Sequence, residues 1–142
     1  MTVNPAQLEA LILDDHLIIR QAIEKNLRDM GFTRVDTAGD AAEAQGKIAA
    51  KKYDICFVDW LLPGKSGFAL MQECRQDRKF DDVAFVMVTS ENDKHHMIEA
   101  IKAGATAYII KPVTPVTFEE KMAKVLEWID KRRTTAAQRS NA

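Results

Sequence analysis

Five short apolar runs alternate with five amphipathic segments along the 142-residue chain. That alternation predicts an α/β fold, a doubly wound five-stranded parallel sheet with helices on both faces, (βα)5. The runs are continuously apolar, as strands covered on both sides require, rather than alternating apolar and polar. Four of the five also end in polar groups: Asp14–Asp15, Asp59, Thr89–Ser90 and Lys111. In such folds ligands bind beyond the carboxyl ends of the strands, where the strand order reverses.

Each element can be justified in turn. Leu8–Asp15 (LEALILDD) is a short apolar run too brief for a comfortable helix and reads as a buried strand. His16–Met30 carries Ile19, Ala22, Ile23, Leu27 and Met30 at helical spacing, with Gly31 as its stop. Arg34–Ala38 is a weaker second strand. Asp40 and Glu43 form a D-x-x-E start for an Ala-rich helix reaching about Lys51. Tyr53–Asp59 (YDICFVD) is the third strand, and LLPGKSG after it is a loop by composition.

A helix then spans about Ser66–Gln76, with Phe68, Met71 and either Cys74 or Arg75 on one face. Val83–Ser90 is the fourth strand. Asp93–Ala103 is a helix placing Met97, Ala100 and Ile101 inward, with Gly104 as its stop. Ala107–Ile110 is the fifth strand. The last helix begins at Pro115, which suits a first helical position, or at a Thr117/Glu120 capping box. Its stripe is Phe118, Met122, Val125, Leu126 and Ile129. The boundaries expected are an N-terminal extension over 1–7, one domain over 8–132, and a flexible tail over 133–142.

Composition narrows the function. The net charge is −1, which argues against a broad basic face for nucleic acid. Cys56 and Cys74 are too few for a disulfide framework. No stretch reaches the ~18 apolar residues of a membrane span, and MTVNPAQLEA lacks the pattern of a secretory signal. A cytoplasmic location, with no membrane partner and no direct nucleic-acid partner, is the expectation.

The strand ends bring three carboxylates, one or two hydroxyls and one ammonium to one edge. Carboxylates so crowded repel unless a cation intervenes, and hard oxygen donors with open positions suit Mg²⁺, which favours phosphate as a co-ligand. An aspartate is already ionised at pH 7 and needs no general base to act as a nucleophile. Asp59, the lone acid on the third strand, expected to be central, is the best candidate, with Asp14 and Asp15 holding the metal and Lys111 a second positive charge. Taken singly, each has a plainer reading: Asp15 and Thr89 as caps, Lys111 as a solvated charge, Tyr108 as strand packing. Adjacent His95 and His96 point ~100° apart on a helix and cannot chelate together.

The pieces LILDDH, FVDWLLPGKSG, VMVTSEND and AGATAYIIKP, at intervals of 44, 30 and 22 residues between Asp15, Asp59, Thr89 and Lys111, resemble the receiver domain of bacterial two-component response regulators, the single-domain chemotaxis type included. The resemblance implies a flavodoxin-like sheet of order 2-1-3-4-5. It implies that Asp59 accepts a phosphoryl group from a sensor histidine kinase or histidine phosphotransfer protein. Asp14, Asp15 and Asp59, with the backbone carbonyl of Leu61, would coordinate Mg²⁺. Lys111 would pair with the phosphoryl oxygens, Thr89 would swing toward them, and Tyr108 would turn inward. The face of the fourth helix, fifth strand and fifth helix would then switch contacts with a downstream protein target. The chain would be a monomer or a phosphorylation-linked dimer. The Lys111–Pro112 peptide is often cis in this family, against a general prior of about 5–6% for X–Pro bonds.

Three positions depart from the pattern or tune it. Trp60 stands where a smaller aliphatic residue is usual, and Leu61 replaces a common polar residue. Leu61 and Glu91 flank the acceptor and hydroxyl by two positions, where the family tunes loss of the phosphoryl group. Apolar Leu61 is expected to place attacking water poorly and lengthen the phosphorylated lifetime. Other classes fit less well. Haloacid-dehalogenase-type phosphatases need an acid where Leu61 stands, and flavodoxins need a Ser/Thr/Gly-rich phosphate loop where this chain has DDHLIIR. A phosphorylation-independent adaptor would usually lack a pocket residue, and none is lacking. A receiver excised from a longer regulator stays open as an alternative.

Overall fold

The β1 strand (Glu9–Leu13) lies between β2 (Arg34–Ala38) and β3 (Ile55–Val58), and β4 (Ala84–Thr89) and β5 (Ala107–Ile110) continue the sheet. All four pairings are parallel and the order is 2-1-3-4-5, the flavodoxin-like arrangement. The computed structural model describes residues 3–90 and 94–140, with side chains through residue 135. Between the strands run α1 (Leu17–Asp29), α2 (Ala41–Ala50), α3 (Gly67–Arg75) and α4 (Lys94–Lys102), and α5 (Pro115–Ser140) follows β5.

The strands are apolar throughout because both faces are covered. Ala10, Ile12, Ile55, Phe57, Val86, Val88 and Ile109 point to one side, against Ile23 and Leu27 of α1 and Phe118, Met122, Val125 and Ile129 of α5. Leu11, Leu13, Cys56, Val58, Phe85, Met87 and Tyr108 point to the other, against Ala44 of α2, Leu70, Met71 and Cys74 of α3, and Ala100 of α4. Cys56 and Cys74 are buried free thiols, so Cys74 is the inward member of its face. At ~25 cal/mol per Å² these two apolar layers are the main source of stability.

Local signals act where the sequence put them. The Asp40 carboxylate accepts from the Glu43 N–H at 2.8 Å, while Glu43 reaches back to the Gly39 N–H at 3.0 Å. Ser66 caps α3 through the Ala69 N–H. Gly31 ends α1 at φ 101°, a conformation that costs a residue with a Cβ.

Of the two starts offered for α5 the structure uses Pro115, with the Thr114 hydroxyl accepting from the Thr117 N–H at 3.3 Å. Two expectations are corrected. The α4 helix buries Ala100 but leaves Ile101 exposed beside Ile98, because the stripe turned inward is narrow. And α5 does not stop near residue 132: the chain is helical through Ser140. Arg133 anchors this stretch to Asp54 at 2.9 Å, and the Thr134 and Thr135 hydroxyls bond back to the carbonyls of Asp130 and Lys131.

Candidate functional site

Parallel register decides which side chains meet. Leu13 pairs with Val58, so the next residues, Asp14 and Asp59, leave β1 and β3 side by side. The backbone holds them there: the Asp59 N–H donates to the Leu13 carbonyl at 3.0 Å and the Asp14 N–H to the Ala38 carbonyl at 3.2 Å. Thr89 pairs with Ile110, and the Lys111 N–H donates to the Thr89 carbonyl at 2.9 Å, bringing the lysine to the same edge. This edge is also where the chain order reverses, between β1 and β3.

Among the described residues the buried polar or charged positions are Asp14, Asp59 and Thr89, all at this edge. The Lys111 ammonium bridges the two acids, with Nζ 2.8 Å from Asp14 Oδ2 and 3.1 Å from Asp59 Oδ2. Burial raises the Asp59 pKa above its ordinary 3.8; the charge of Lys111 opposes that, and the charge of Asp14 adds to it. For Lys111, burial alone would lower the pKa, yet the hydrogen bond to Asp14 and the charges of Asp59 and Asp14 outweigh it and the net shift is upward. The two acids therefore hold the Lys111 ammonium charged, while burial outweighs what the lysine gives back to Asp59.

One carboxylate oxygen or imidazole nitrogen from each of Asp14, Asp15, His16 and Asp59 lies within 4.8 Å of the others. This donor set is consistent with a receiver metal site: hard oxygens on a partly open rim, with a cation already bridging two of them. Asp15 stands on the exposed side of the cluster. Tyr108 is already turned inward, 3% exposed, within the layer that packs against α2, α3 and α4. The Leu61 side chain faces solvent, and its backbone hydrogen bond to Asp59 lowers that carboxyl's pKa. The Lys111–Pro112 peptide is cis. Glu91 lies outside the described residues.

Two contributors escaped the sequence reading. By sequence Gly67 reads only as loop composition, but a Cβ there would stand 1.8 Å from the Asp59 carbonyl oxygen and 2.5 Å from Val58 Cγ1. Its missing side chain lets the start of α3 close over the end of β3, with the Gly67 N–H on the Trp60 carbonyl at 3.0 Å. Sequence alone gives none of the three histidines a ligand role, yet His16 Nδ1 lies 3.3 Å from Asp14 Oδ1 and 3.2 Å from Asp15 Oδ1. The run DDH carried that signal. Trp60 stacks on Phe68, with centroids 4.3 Å apart, and meets His96 of α4 edge-on at 5.0 Å.

A 2-1-3-4-5 sheet with an acid pair, a third buried acid, a buried hydroxyl and a lysine at its switch point defines a receiver. The chain belongs to the response regulator receiver domain family, whose description matches residues 10–123. It is 33% identical over 123 residues to the chemotaxis protein CheY of Pseudomonas aeruginosa, covering 87% of this chain and 99% of that protein. It is equally identical over 120 residues to chemotaxis protein CheY-3 of Vibrio cholerae, covering 84% and 92%. Its fold superposes on the chemotaxis response regulator CheY4 of Vibrio cholerae with a TM-score of 0.77 at 29% identity, over 84% of this chain and 98% of that one. It is thus a two-component signalling module, a class of signalling protein rather than a conventional enzyme. No helix among the described residues is long and apolar enough to cross a membrane.

Proposed function

We propose that this chain is a phosphorylation switch in which Asp59 takes a phosphoryl group from a phosphohistidine on a sensor histidine kinase or phosphotransfer protein. A carboxylate oxygen of Asp59 attacks phosphorus, the P–N bond to the donor imidazole breaks, and that imidazole leaves with a proton. The product is an aspartyl phosphate. Asp14, Asp15, Asp59 and the backbone carbonyl of Leu61 would hold Mg²⁺, which when bound neutralises charge on the acids and the phosphoryl oxygens. Lys111 exchanges part of its contact with Asp59 for a phosphoryl oxygen. The Thr89 hydroxyl, one strand away, donates to another.

The observation that carries the reading is the ammonium between the two buried acids. It fixes a positive charge where a transferred phosphoryl group would place its oxygens. Movement of Thr89, at the end of β4, would reach Tyr108 on β5 and so the face of α4, β5 and α5. Ile98, Ile101 and Val116 are exposed on these helices and offer apolar contact to a downstream protein target. A cytoplasmic location follows from this role.

Incubation with phosphoramidate and Mg²⁺, followed by intact-mass measurement, is expected to show one phosphoryl adduct that Asp59→Asn abolishes. An adduct that persists in Asp59→Asn, or none in the wild type, overturns the assignment. Leu61→Asn should shorten the lifetime of that adduct, because an amide can orient water that leucine cannot. An unchanged decay rate would remove Leu61 from the account.

A further inference from the structure

We propose that His16 supplies a nitrogen donor to the acidic centre, so that this site favours imidazole-accepting divalent ions such as Ni²⁺ over Mg²⁺ beyond what its oxygens alone would give. The inference rests on the receiver reading of that centre and adds a residue to its donor set.

Geometry is the first argument. The imidazole Nδ1 is 3.3 Å from Asp14 Oδ1 and 3.2 Å from Asp15 Oδ1, and it falls in one cluster with Asp59. Adjacent donors on an octahedral ion with bonds of about 2.1 Å are roughly 3 Å apart. The two contacts therefore have the spacing of neighbouring ligands around one ion.

The backbone is the second argument. His16 sits at the N-cap of α1 with φ −99° and ψ 115°, and its side chain makes no cap hydrogen bond. Its N–H donates to Asp14 Oδ1 at 2.9 Å, which pins the residue to the acid it faces. The ring is thus turned back over the end of β1 although its side chain is 67% exposed and free to point outward. A neutral imidazole brings a donor without adding charge to a site already holding three acids. Mg²⁺ takes little advantage of nitrogen, whereas Ni²⁺ takes much.

A plainer alternative makes a distinct forecast. If the His16 ring only donates a hydrogen bond to the acids, removing it frees Asp14 and Asp15 for every divalent ion alike. Titration of the untagged chain by calorimetry with Mg²⁺ and separately with Ni²⁺, at about pH 8 where imidazole is neutral, tells the two apart. Mg²⁺ must also displace Ni²⁺, which ties both to one site rather than to His95 or His96. His16→Asn is the variant, since asparagine suits an N-cap and the position is exposed.

The expected result is a fall in the Ni²⁺-to-Mg²⁺ affinity ratio of about tenfold or more, the low end of what altered ligand spheres cost. The visible spectrum of the Co²⁺-loaded chain should shift in His16→Asn as a nitrogen ligand is lost. An unchanged ratio, or a parallel rise for both ions, overturns the role of His16 while leaving the metal centre standing. Failure of Mg²⁺ to bind the wild type overturns the centre itself, and this inference with it.

Discussion

The two ends of the sheet use the same kinds of charged group to opposite effect. At the carboxyl edge, Asp14, Asp59 and Lys111 are packed with side chains 2%, 6% and 13% exposed. Toward the other end, Glu9, Asp36, Lys51 and Tyr53 form a network whose acids are 21% and 38% exposed. Burial drives the pKa of Asp59 up despite its lysine. The Tyr53 hydroxyl, donating at 2.6 Å, and Lys51 at 3.0 Å pull that of Asp36 down. Partial solvation lets hydrogen bonding win at one end, and its lack lets desolvation win at the other. A cavity of about 480 Å³ near the second network, lined by Ile48, Tyr53, Cys56, Phe80, Val83 and Phe85, holds none of the clustered acids. At the first end burial works against the buried Asp59 charge, and at the second hydrogen bonding favours the Asp36 charge.

The sharpest way to break this contrast is Lys111→Met. It leaves two buried acids facing each other, and breaking such a group costs about 3–5 kcal/mol. Urea unfolding without divalent ions should show that loss. Mg²⁺ at a hundredfold excess over its dissociation constant should return about 2.7 kcal/mol. A variant as stable as the wild type without metal would mean the lysine balances nothing.

Asp59→Asn should act in the other direction. The folded chain holds the Asp59 proton above 3.8, whereas the unfolded chain has lost it there. Stability therefore falls as pH rises from 3.8 through the folded value, and at neutral pH the wild type bears the whole cost of the buried charge. The variant should be more stable by roughly 1–3 kcal/mol at pH 7, the scale of an imperfectly paired buried group. The gap should close below pH 3.8. Thermal melts across that range check it; a gap constant with pH would deny that charge is the cause.

The smallest effect belongs to the second network. Tyr53→Phe removes one hydrogen bond to a partly exposed acid and should cost about 0.5 kcal/mol, the low end for such bonds. The pKa of Asp36 lies below 3.8 in the folded chain, so its contribution is complete above that value and is lost as pH falls through the folded one. Tyr53→Phe should therefore flatten the acid limb of the stability curve and leave the neutral region nearly parallel to the wild type. Equal slopes in acid would show that Tyr53 does not hold Asp36 ionised.

Much of this was legible without coordinates. A continuously apolar strand ending in an acid shows its burial and its terminus together, so Asp14, Asp59 and Lys111 could be assigned to strand ends from local pattern. Helix faces were less legible. Ile101 fits the inward stripe of α4 by spacing, yet the width of that stripe depends on what α4 packs against. The end of α5 was hidden for the same reason, since Arg133 is held by Asp54, 79 residues away in the chain.

The sequence by itself determined the alternation of strands and helices and the chemistry at the strand ends, because hydrophobic period and residue type are local properties of the chain. Only the tertiary structure decided that register sets Asp14 beside Asp59, that Lys111 joins them, that Gly67 must lack a side chain, and that the exposed His16 ring turns back toward the acids. Those are relations between segments far apart in sequence or matters of side-chain direction. They follow from which surfaces pack together, and no local pattern encodes that.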